Sequence, residues 1–115
     1  MNDPDCLFCR IVSGDLQAEI VHETARTLAF RDRAPQAPTH VLVVPRDHYP
    51  DMPALAGSDP AYAGELLAAA AQVARLEGLD GGHRMIANTG VDGGQTVFHV
   101  HVHVLGGRPL GVLAG

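Results

Sequence analysis

The chain has no tryptophan, no lysine and few aromatic residues. These shortages limit the kind of core that the protein can form and the kinds of partner that it can bind. Aromatic residues make up 4% of the 115 residues, so the 46% that are hydrophobic must build an aliphatic, alanine-rich core. The formal net charge is −5, and such a chain lacks the positive surface that general binding to nucleic acid or to an anionic membrane needs. No apolar run approaches the ~20 residues of a membrane span, and residues 1–5 lack the basic and apolar regions of a signal peptide. We therefore expect a single-domain cytoplasmic protein with no nucleic-acid or membrane partner.

Cysteine is also scarce, and its two copies, Cys6 and Cys9, form one Cys-x-x-Cys pair. Structural disulfides are rare in the cytosol, and a thioredoxin-like motif would follow a strand, for which there is no room before Cys6. The remaining interpretation is half of a zinc site. Tetrahedral zinc takes cysteine and histidine ligands, and the best candidates for the other two are His48 and His99. We predict structural zinc and no organic cofactor.

The hydrophobic pattern predicts an α+β fold. It indicates a short N-terminal helix, about five strands in a mainly antiparallel sheet, and one long helix that covers one face. The long helix begins after Ser58 or Asp59 and ends at Gly78, while residues 51–57 are too rich in proline and glycine for more than a turn. The short helix is predicted at 6–12, and the strands at 19–23, 26–32, 39–45, 84–88 and 97–105. The apolar stripe of the long helix comprises Ala63, Leu66, Leu67, Ala70, Val73 and Ala74. The domain should span residues 5–108, followed by a tail at 109–115.

The most informative segment is a run in which His99, His101 and His103 alternate with valines. Alternate residues of a strand share one face, and strand formation itself favours threonine, tyrosine or valine over histidine. Histidine titrates near neutral pH and serves as base, nucleophile or metal ligand. The run therefore predicts that these histidines have a chemical function rather than a structural one. The alternatives are a solvated face that happens to be histidine-rich and a metal-binding ladder.

A glycine-rich loop, residues 90–96, precedes the histidines. Glycine lets the backbone approach a ligand and turn its N–H groups toward an anion, and Gln95 and Thr96 add side-chain donors. We predict a phosphate cradle, with a merely flexible hairpin loop as the alternative.

Several separated motifs together carry a family resemblance. Residues 93–108, 84–88, 35–45 and 30–32 resemble the histidine triad (HIT) superfamily in its Hint branch, whose bacterial members often carry zinc. The resemblance implies a HIT-like fold and a homodimer in which two sheets join. It also implies hydrolysis or transfer at the α-phosphate of purine nucleoside phosphoramidates or aminoacyl adenylates, through a nucleotidyl-histidine intermediate.

The resemblance also implies a role for each matching residue. His101 is the nucleophile, oriented by the backbone carbonyl of His99; His103 holds phosphate oxygens; His40 lies near the leaving group; and Asp32 accepts hydrogen bonds from the ribose. The other predicted phosphate contacts are Asn88, Gly94, Gln95 and Thr96. The predicted base contacts are Phe8, Ile11, Leu16 and Leu42. The implied zinc ligands are Cys6, Cys9, His48 and His99.

Two alternatives stay open. One is a dinucleoside polyphosphate hydrolase, although the run Gly106-Gly107-Arg108 favours the Hint branch, and the other is a nucleotide-binding regulatory module with incidental turnover. Two departures from the family pattern bear on the substrate. The tail lacks the Trp-Pro-Pro type of ending, and Arg33 stands where relatives are commonly apolar.

Overall fold

Residues 2–112 fold into one five-stranded antiparallel sheet with three helices. A computed structural model describes residues 2–112, so residues 113–115 of the predicted tail lie outside it. The elements in chain order are α1 (Leu7–Ser13), β1 (Ile20–Glu23), β2 (Thr27–Arg31), β3 (Thr39–Pro45), α2 (Met52–Ser58), α3 (Pro60–Leu76), β4 (His83–Ile86) and β5 (Val102–Gly106). The strand order across the sheet is β1-β2-β3-β5-β4, with every pair antiparallel. This confirms the predicted α+β class with an antiparallel sheet. Within residues 2–112, no helix is long and apolar enough to cross a membrane.

The two faces of the sheet have different coverings. The central strand β3 is buried along its whole length, because its alternate side chains enter two separate clusters. One cluster joins Val41 and Val43 to buried residues of α2 and α3. The other joins Leu42 and Val44 to Phe8 and Cys9 of α1. The short helix α1 covers much less of the sheet than α3, which leaves part of this second face open for a site.

A row of paired residues crosses this second face. His103 of β5 pairs with Leu42 of β3, Leu42 pairs with Phe30 of β2, and Phe30 pairs with Ile20 of β1. Neighbouring strands lie about 4.8 Å apart, so three steps place β1 about 14 Å from His103. The row therefore runs from His103 on β5 to Ile20 on the outer strand β1.

The prediction of a turn at residues 51–57 is wrong, because a helix, α2, forms there. Asp51 is its N-cap and accepts a hydrogen bond from the Ala54 N–H at 2.9 Å. Pro53 lies in the first turn, where a helix tolerates proline because that N–H has no helical partner. Leu55 is fully buried. Capping and burial together outweigh a composition that resembles a loop.

The long helix was predicted closely. Asp59 caps α3 through the Tyr62 N–H, and Gly78 follows its end with a φ of +69°. The predicted stripe is wrong at Leu67, which is 47% exposed.

The predicted histidine strand is too long at its N-terminal end. Pairing with β3 begins only at Val102, and the Val100 N–H instead donates to the Tyr49 carbonyl at 2.8 Å. The valines still enter the core that α3 covers. His99 and His101 thus keep the alternation of side chains outside the strand, whereas His103 lies within β5.

Candidate functional site

A cavity of about 390 Å³ lies on the face of the sheet that α1 covers. His101, His103 and Thr96 line it at one end, and Asp32 lines it as well. Its apolar wall contains the four residues that were predicted to contact the base, namely Phe8, Ile11, Leu16 and Leu42. The structure therefore brings most of the predicted nucleotide-binding residues around one cavity.

Beside the cavity, four side chains converge as the sequence predicts for a metal site. The ligand atoms of Cys6, Cys9, His48 and His99 all lie within 4.8 Å of one another. His99 Nδ1 lies 3.4 Å from each of the two sulfur atoms, and His48 Nδ1 lies 3.4 Å from the sulfur of Cys9. A tetrahedron with Zn–S bonds of about 2.3 Å and Zn–N bonds of about 2.0 Å separates sulfur from nitrogen by about 3.5 Å. The spacing of these donors fits zinc.

The protonation states of these four side chains also suit metal binding. His99 is fully buried and its Nε2 lies 2.9 Å from the Pro45 carbonyl, so Nε2 carries the hydrogen and Nδ1 presents its lone pair to the sulfurs. Burial lowers the pKa of His99 to about 4, which keeps the ring neutral. The sulfur of Cys6 accepts the Cys9 N–H and that of Cys9 accepts the Asp3 N–H, contacts that favour thiolates. Burial raises the pKa of the Cys9 thiol, so metal binding would release its proton.

His101 is held in one tautomer by the chain immediately before it. Its Nδ1 lies 2.8 Å from the His99 carbonyl, which can only accept, so Nδ1 carries the hydrogen. The lone pair is therefore on Nε2, and the ring borders the cavity. Burial lowers the pKa of His101, so the imidazole is neutral at pH 7. Phe8 packs edge-on against the ring with centroids 5.1 Å apart and fixes its plane.

His40 determines the tautomer of His103. The Gln36 N–H donates to His40 Nδ1 at 3.0 Å, so the neutral His40 ring carries its hydrogen on Nε2. That nitrogen lies 2.9 Å from His103 Nδ1, which must accept. His103 then carries its own hydrogen on Nε2. Burial lowers the pKa of His103 to about 4, so this N–H belongs to a neutral ring.

Asp32, His40 and His103 also form a compact group that resembles a metal site. Asp32 Oδ2 lies 3.5 Å from His40 Nε2. A metal at this nitrogen would need its lone pair, yet the backbone donor at Nδ1 places the hydrogen there. The arrangement therefore favours a hydrogen-bonded relay over a second metal. The alternative that the three histidines of the run together bind a metal is also wrong. His99 contacts the cysteines, His101 borders the cavity, and His103 contacts His40.

His40 packs against His103 outside the cavity wall. Its side chain is only 4% exposed, and both ring nitrogens have partners. His40 therefore lies behind His103, and its position near a leaving group stays a prediction.

The glycine-rich loop makes hydrogen bonds within itself. The N–H groups of Gly94 and Gln95 donate to the carbonyls of Val91 and Gly90 at 3.0 Å. The side chain of Asn88 donates to the Gly93 carbonyl at 2.8 Å. Of the four predicted phosphate contacts, only Thr96 borders the cavity. Gly94, Gln95 and Asn88 do not line it, and the phosphate contacts predicted for them stay predictions.

Gln95 has a structural function that its sequence position concealed. The side chain is 4% exposed, its Oε1 accepts the Gly90 N–H at 2.9 Å, and its Nε2 donates to the Pro50 and Val97 carbonyls at 2.6 and 3.1 Å. All of these contacts hold the loop to the segment before α2 and to the chain that leads into the histidines. Its side-chain donors are thus already used.

Sequence reasoning missed part of the cavity wall. Phe30 and Val97 were not predicted to contact the nucleotide. Their apolar character and their closeness in sequence to Asp32 and to the histidines were signals that could have identified them. Glu19, Arg31 and Arg33 also contribute to the cavity wall. Glu19 precedes a short strand and gave no signal at all, because only the pairing of β1 with β2 places it there.

Comparisons with known proteins agree with this geometry. The family model described as HIT domain matches residues 13–110. An uncharacterised HIT-like protein of Synechococcus elongatus is 44% identical over 106 residues, which cover 92% of this chain and 93% of that protein. A histidine triad protein of Clostridium difficile superposes with a TM-score of 0.94 at 37% identity, covering 99% of this chain and 100% of that one. A HIT family hydrolase of Legionella pneumophila superposes with a TM-score of 0.91 at 40% identity, covering 96% and 100%.

Proposed function

Because the chain belongs to the HIT domain family, we propose that it hydrolyses purine nucleoside monophosphate derivatives through a nucleotidyl-His101 intermediate. The substrate class is the phosphoramidates and aminoacyl adenylates of the Hint branch. The observation that carries the proposal is the 2.8 Å contact between His101 Nδ1 and the His99 carbonyl. It leaves a neutral nitrogen with a free lone pair at a cavity of suitable size, as a nucleophile requires.

The reaction has two displacements at phosphorus. His101 Nε2 forms a bond to the α-phosphorus while the bond from phosphorus to the leaving amine or acyl oxygen breaks. A leaving amine takes up one proton from solvent. Water then attacks the same phosphorus and gives one proton to solvent, the bond from phosphorus to Nε2 breaks, and the nucleoside monophosphate leaves. The proton stays on Nδ1 throughout, where it is hydrogen-bonded to the His99 carbonyl. The positive charge of the intermediate is therefore delocalised over the ring.

His103 supplies a donor for the phosphate oxygens. The relay from Gln36 through His40 places its hydrogen on Nε2, and a preorganised donor of this kind stabilises charge that develops in the transition state. His40 is a positioning residue in this proposal. Thr96 lies at the same end of the cavity and adds a hydroxyl.

The rest of the cavity suits a nucleoside. Apolar side chains from α1 and the sheet can enclose a flat base, and Asp32 offers a carboxylate for ribose hydroxyls. Asp32 Oδ1 already accepts the Ala34 N–H at 2.8 Å, which orients the group and leaves further lone pairs. These contacts support binding at the base and ribose that is independent of the nucleophile.

Zinc and a dimer complete the proposal. Cys6, Cys9, His48 and His99 would hold zinc, and the metal, when bound, supplies a cross-link between the N-terminal segment and the sheet. That cross-link leaves His101 free of metal. The sheet has two edge strands, β1 and β4, and we propose a homodimer in which two sheets join. Location in the cytoplasm stays a prediction.

The central test replaces His101 by alanine. We expect His101→Ala to lose phosphoramidate hydrolysis by several orders of magnitude, because no neighbouring group supplies the nucleophile. Rapid acid quench with labelled substrate should trap nucleotide on the wild-type chain and none on the variant. His83→Ala is the matched control, because this exposed histidine lies on β4 outside the cavity. AMP should still bind to the His101→Ala protein.

Two results would contradict the mechanism: near-normal turnover by His101→Ala, or label that maps to another residue. The substrate class is tested separately by ranking kcat/KM for nucleoside phosphoramidates, aminoacyl adenylates and dinucleoside polyphosphates. A preference for the last group would favour the dinucleoside polyphosphate hydrolase. Binding with negligible turnover of all three would favour a regulatory module.

A further inference from the structure

The hydrogen bond to the His99 carbonyl does not by itself fix the plane of the His101 ring. It restrains the ring at Nδ1, but a hydrogen bond weakens steeply only when its angle falls below about 120°. The χ2 torsion of histidine has broad rather than sharp preferences. Packing must therefore define the angle of the ring, and two aromatic rings pack against it, Phe8 with centroids 5.1 Å apart and His103 with centroids 4.9 Å apart.

Phe8 makes the more nearly perpendicular of these two contacts. The planes of the Phe8 and His101 rings are 88° apart, whereas those of His101 and His103 are 64° apart. A perpendicular pair of rings is a favourable arrangement in which the edge of one ring meets the face of the other. Both Phe8 and His101 are buried. Rotation of the His101 ring would therefore lose this contact or bring atoms of the two rings into overlap.

Phe8 is itself held along the chain and across the sheet. It lies on α1 between Cys6 and Cys9, whose side chains belong to the proposed zinc site. Its ring packs against Phe30 of β2 with centroids 5.4 Å apart and against His99 with centroids 6.0 Å apart. A neighbour that is restrained in this way can impose a fixed orientation on the nucleophile.

We propose that Phe8 is a positioning residue for the first displacement, an inference that rests on the proposed nucleotidyl-His101 intermediate. Its ring holds the plane of His101 so that the Nε2 lone pair points at the phosphorus. A reacting group must be held within roughly 10–20° of its productive direction, and this is the restraint that packing adds to the hydrogen bond.

The sequence predicted a different function for Phe8, a contact with the base, and the residue does line the cavity. The two functions change different quantities. A base contact contributes to the affinity for any nucleotide, bound with or without reaction. A positioning contact contributes to the rate at which the bond from Nε2 to phosphorus forms.

The test measures rate and affinity separately in Phe8→Leu. Leucine keeps an apolar side chain in the wall but removes the ring that meets His101. Rapid acid quench in a single turnover, with a saturating labelled nucleoside phosphoramidate, gives the rate at which nucleotidyl-His101 forms. We expect this rate to fall about 10- to 100-fold, as it does when a reacting group is misplaced. The calorimetric affinity for AMP should change by no more than about threefold, because the apolar wall remains.

Phe30→Leu is the matched comparison. Phe30 is also buried and lines the same cavity, but within residues 2–112 its ring packs against Phe8 rather than against His101. Its loss should weaken AMP binding at least as much as the loss of Phe8 does. Its effect on the rate of bond formation should be smaller, so that the two variants show opposite divisions between affinity and rate.

Nuclear magnetic resonance reports on the ring without any substrate. In protein made with isotope-labelled histidine, the Cε1–H signal of His101 is assigned by its disappearance in His101→Ala. Relaxation dispersion should show μs–ms exchange of this signal in Phe8→Leu and none in the wild type. Zinc content should equal that of the wild type in both proteins. If leucine displaces α1 and zinc is lost, Phe8→Met, whose flexible side chain fills irregular gaps, takes its place with the same expected results.

Four results would overturn the inference. One is a rate of bond formation in Phe8→Leu within about threefold of the wild type, which would leave Phe8 as a base contact at most. Another is an equal loss of rate in Phe8→Leu and Phe30→Leu, which would assign the effect to the shape of the wall. The third is an unchanged His101 signal although the rate falls. The fourth is loss of zinc from both Phe8 variants, which would show that Phe8 supports α1 instead. In all four cases the wild type still forms nucleotidyl-His101, whereas a wild type that forms none would contradict the proposed function.

Discussion

Replacing Gln95 by leucine should destabilise the protein strongly while leaving its chemistry nearly intact. The side chain is 4% exposed and makes three hydrogen bonds to backbone groups of Gly90, Pro50 and Val97. A buried hydrogen bond contributes about 0.5–1.5 kcal/mol to stability, so the three together are worth about 1.5–4.5 kcal/mol. Leucine has a similar volume and supplies no partner. We expect a loss near the middle of this range, about 3 kcal/mol.

The measurement is urea unfolding followed by far-ultraviolet circular dichroism, since the chain has no tryptophan for fluorescence. The matched control is Gln72→Leu. The amide of Gln72 also accepts hydrogen bonds, from the exposed Arg75 on α3. A surface substitution of this kind usually changes stability by no more than about 0.5 kcal/mol. Zinc content and AMP affinity of both variants should be recorded with the unfolding curves.

One pattern of results would refute the reasoning about Gln95. If Gln95→Leu unfolds like the wild type but binds AMP much more weakly, then the amide contacts phosphate, as the sequence alone suggests. The variant Gln95→Glu gives an independent check. It keeps an acceptor for Gly90 but turns a carboxylate toward two carbonyl oxygens, so it should be at least as unstable as the leucine variant.

The remaining predictions concern the metal, the pH dependence of stability and the assembly. Purified protein should contain about one zinc per subunit, and Cys9→Ser should lose both zinc and thermal stability; metal found at His101 and His103 instead would reject the assignment. Burial lowers the pKa of His103 to about 4 from an ordinary value near 6.5, so the unfolded chain binds a proton between these values that the folded protein does not. This contribution to stability should be complete above pH 6.5 and decline as the pH falls toward 4, and His103→Asn, which keeps the four metal ligands, should show a smaller decline. An equal decline in both proteins would contradict the pKa of His103. Light scattering at micromolar concentration should give about twice the chain mass of 12.1 kDa, whereas a monomer throughout would contradict the proposed dimer.

The sequence by itself determined the elements whose signals are local. Asp59, Pro60 and Gly78 delimit α3 through capping and backbone preference, which depend on a few adjacent residues. The alternation of valine and histidine at 99–104 predicted which side chains enter the core, and this holds although the strand begins only at Val102. The convergence of Cys6 and Cys9 with His48 and His99 was also anticipated, because few donor sets suit zinc.

Only the tertiary structure decided how each polar group is used. The sequence predicted that Gln95 and His40 belong to the site around the histidines. In the structure, Gln95 holds a loop and His40 determines the tautomer of His103. Their partners, Pro50 for one and His103 for the other, are 45 and 63 residues away in the chain. Hydrogen bonds are short and directional, so the function of a buried donor depends on which distant acceptor the fold places within 3 Å of it. The place of Glu19 in the cavity wall has the same origin, because the pairing of β1 with β2 brings it there.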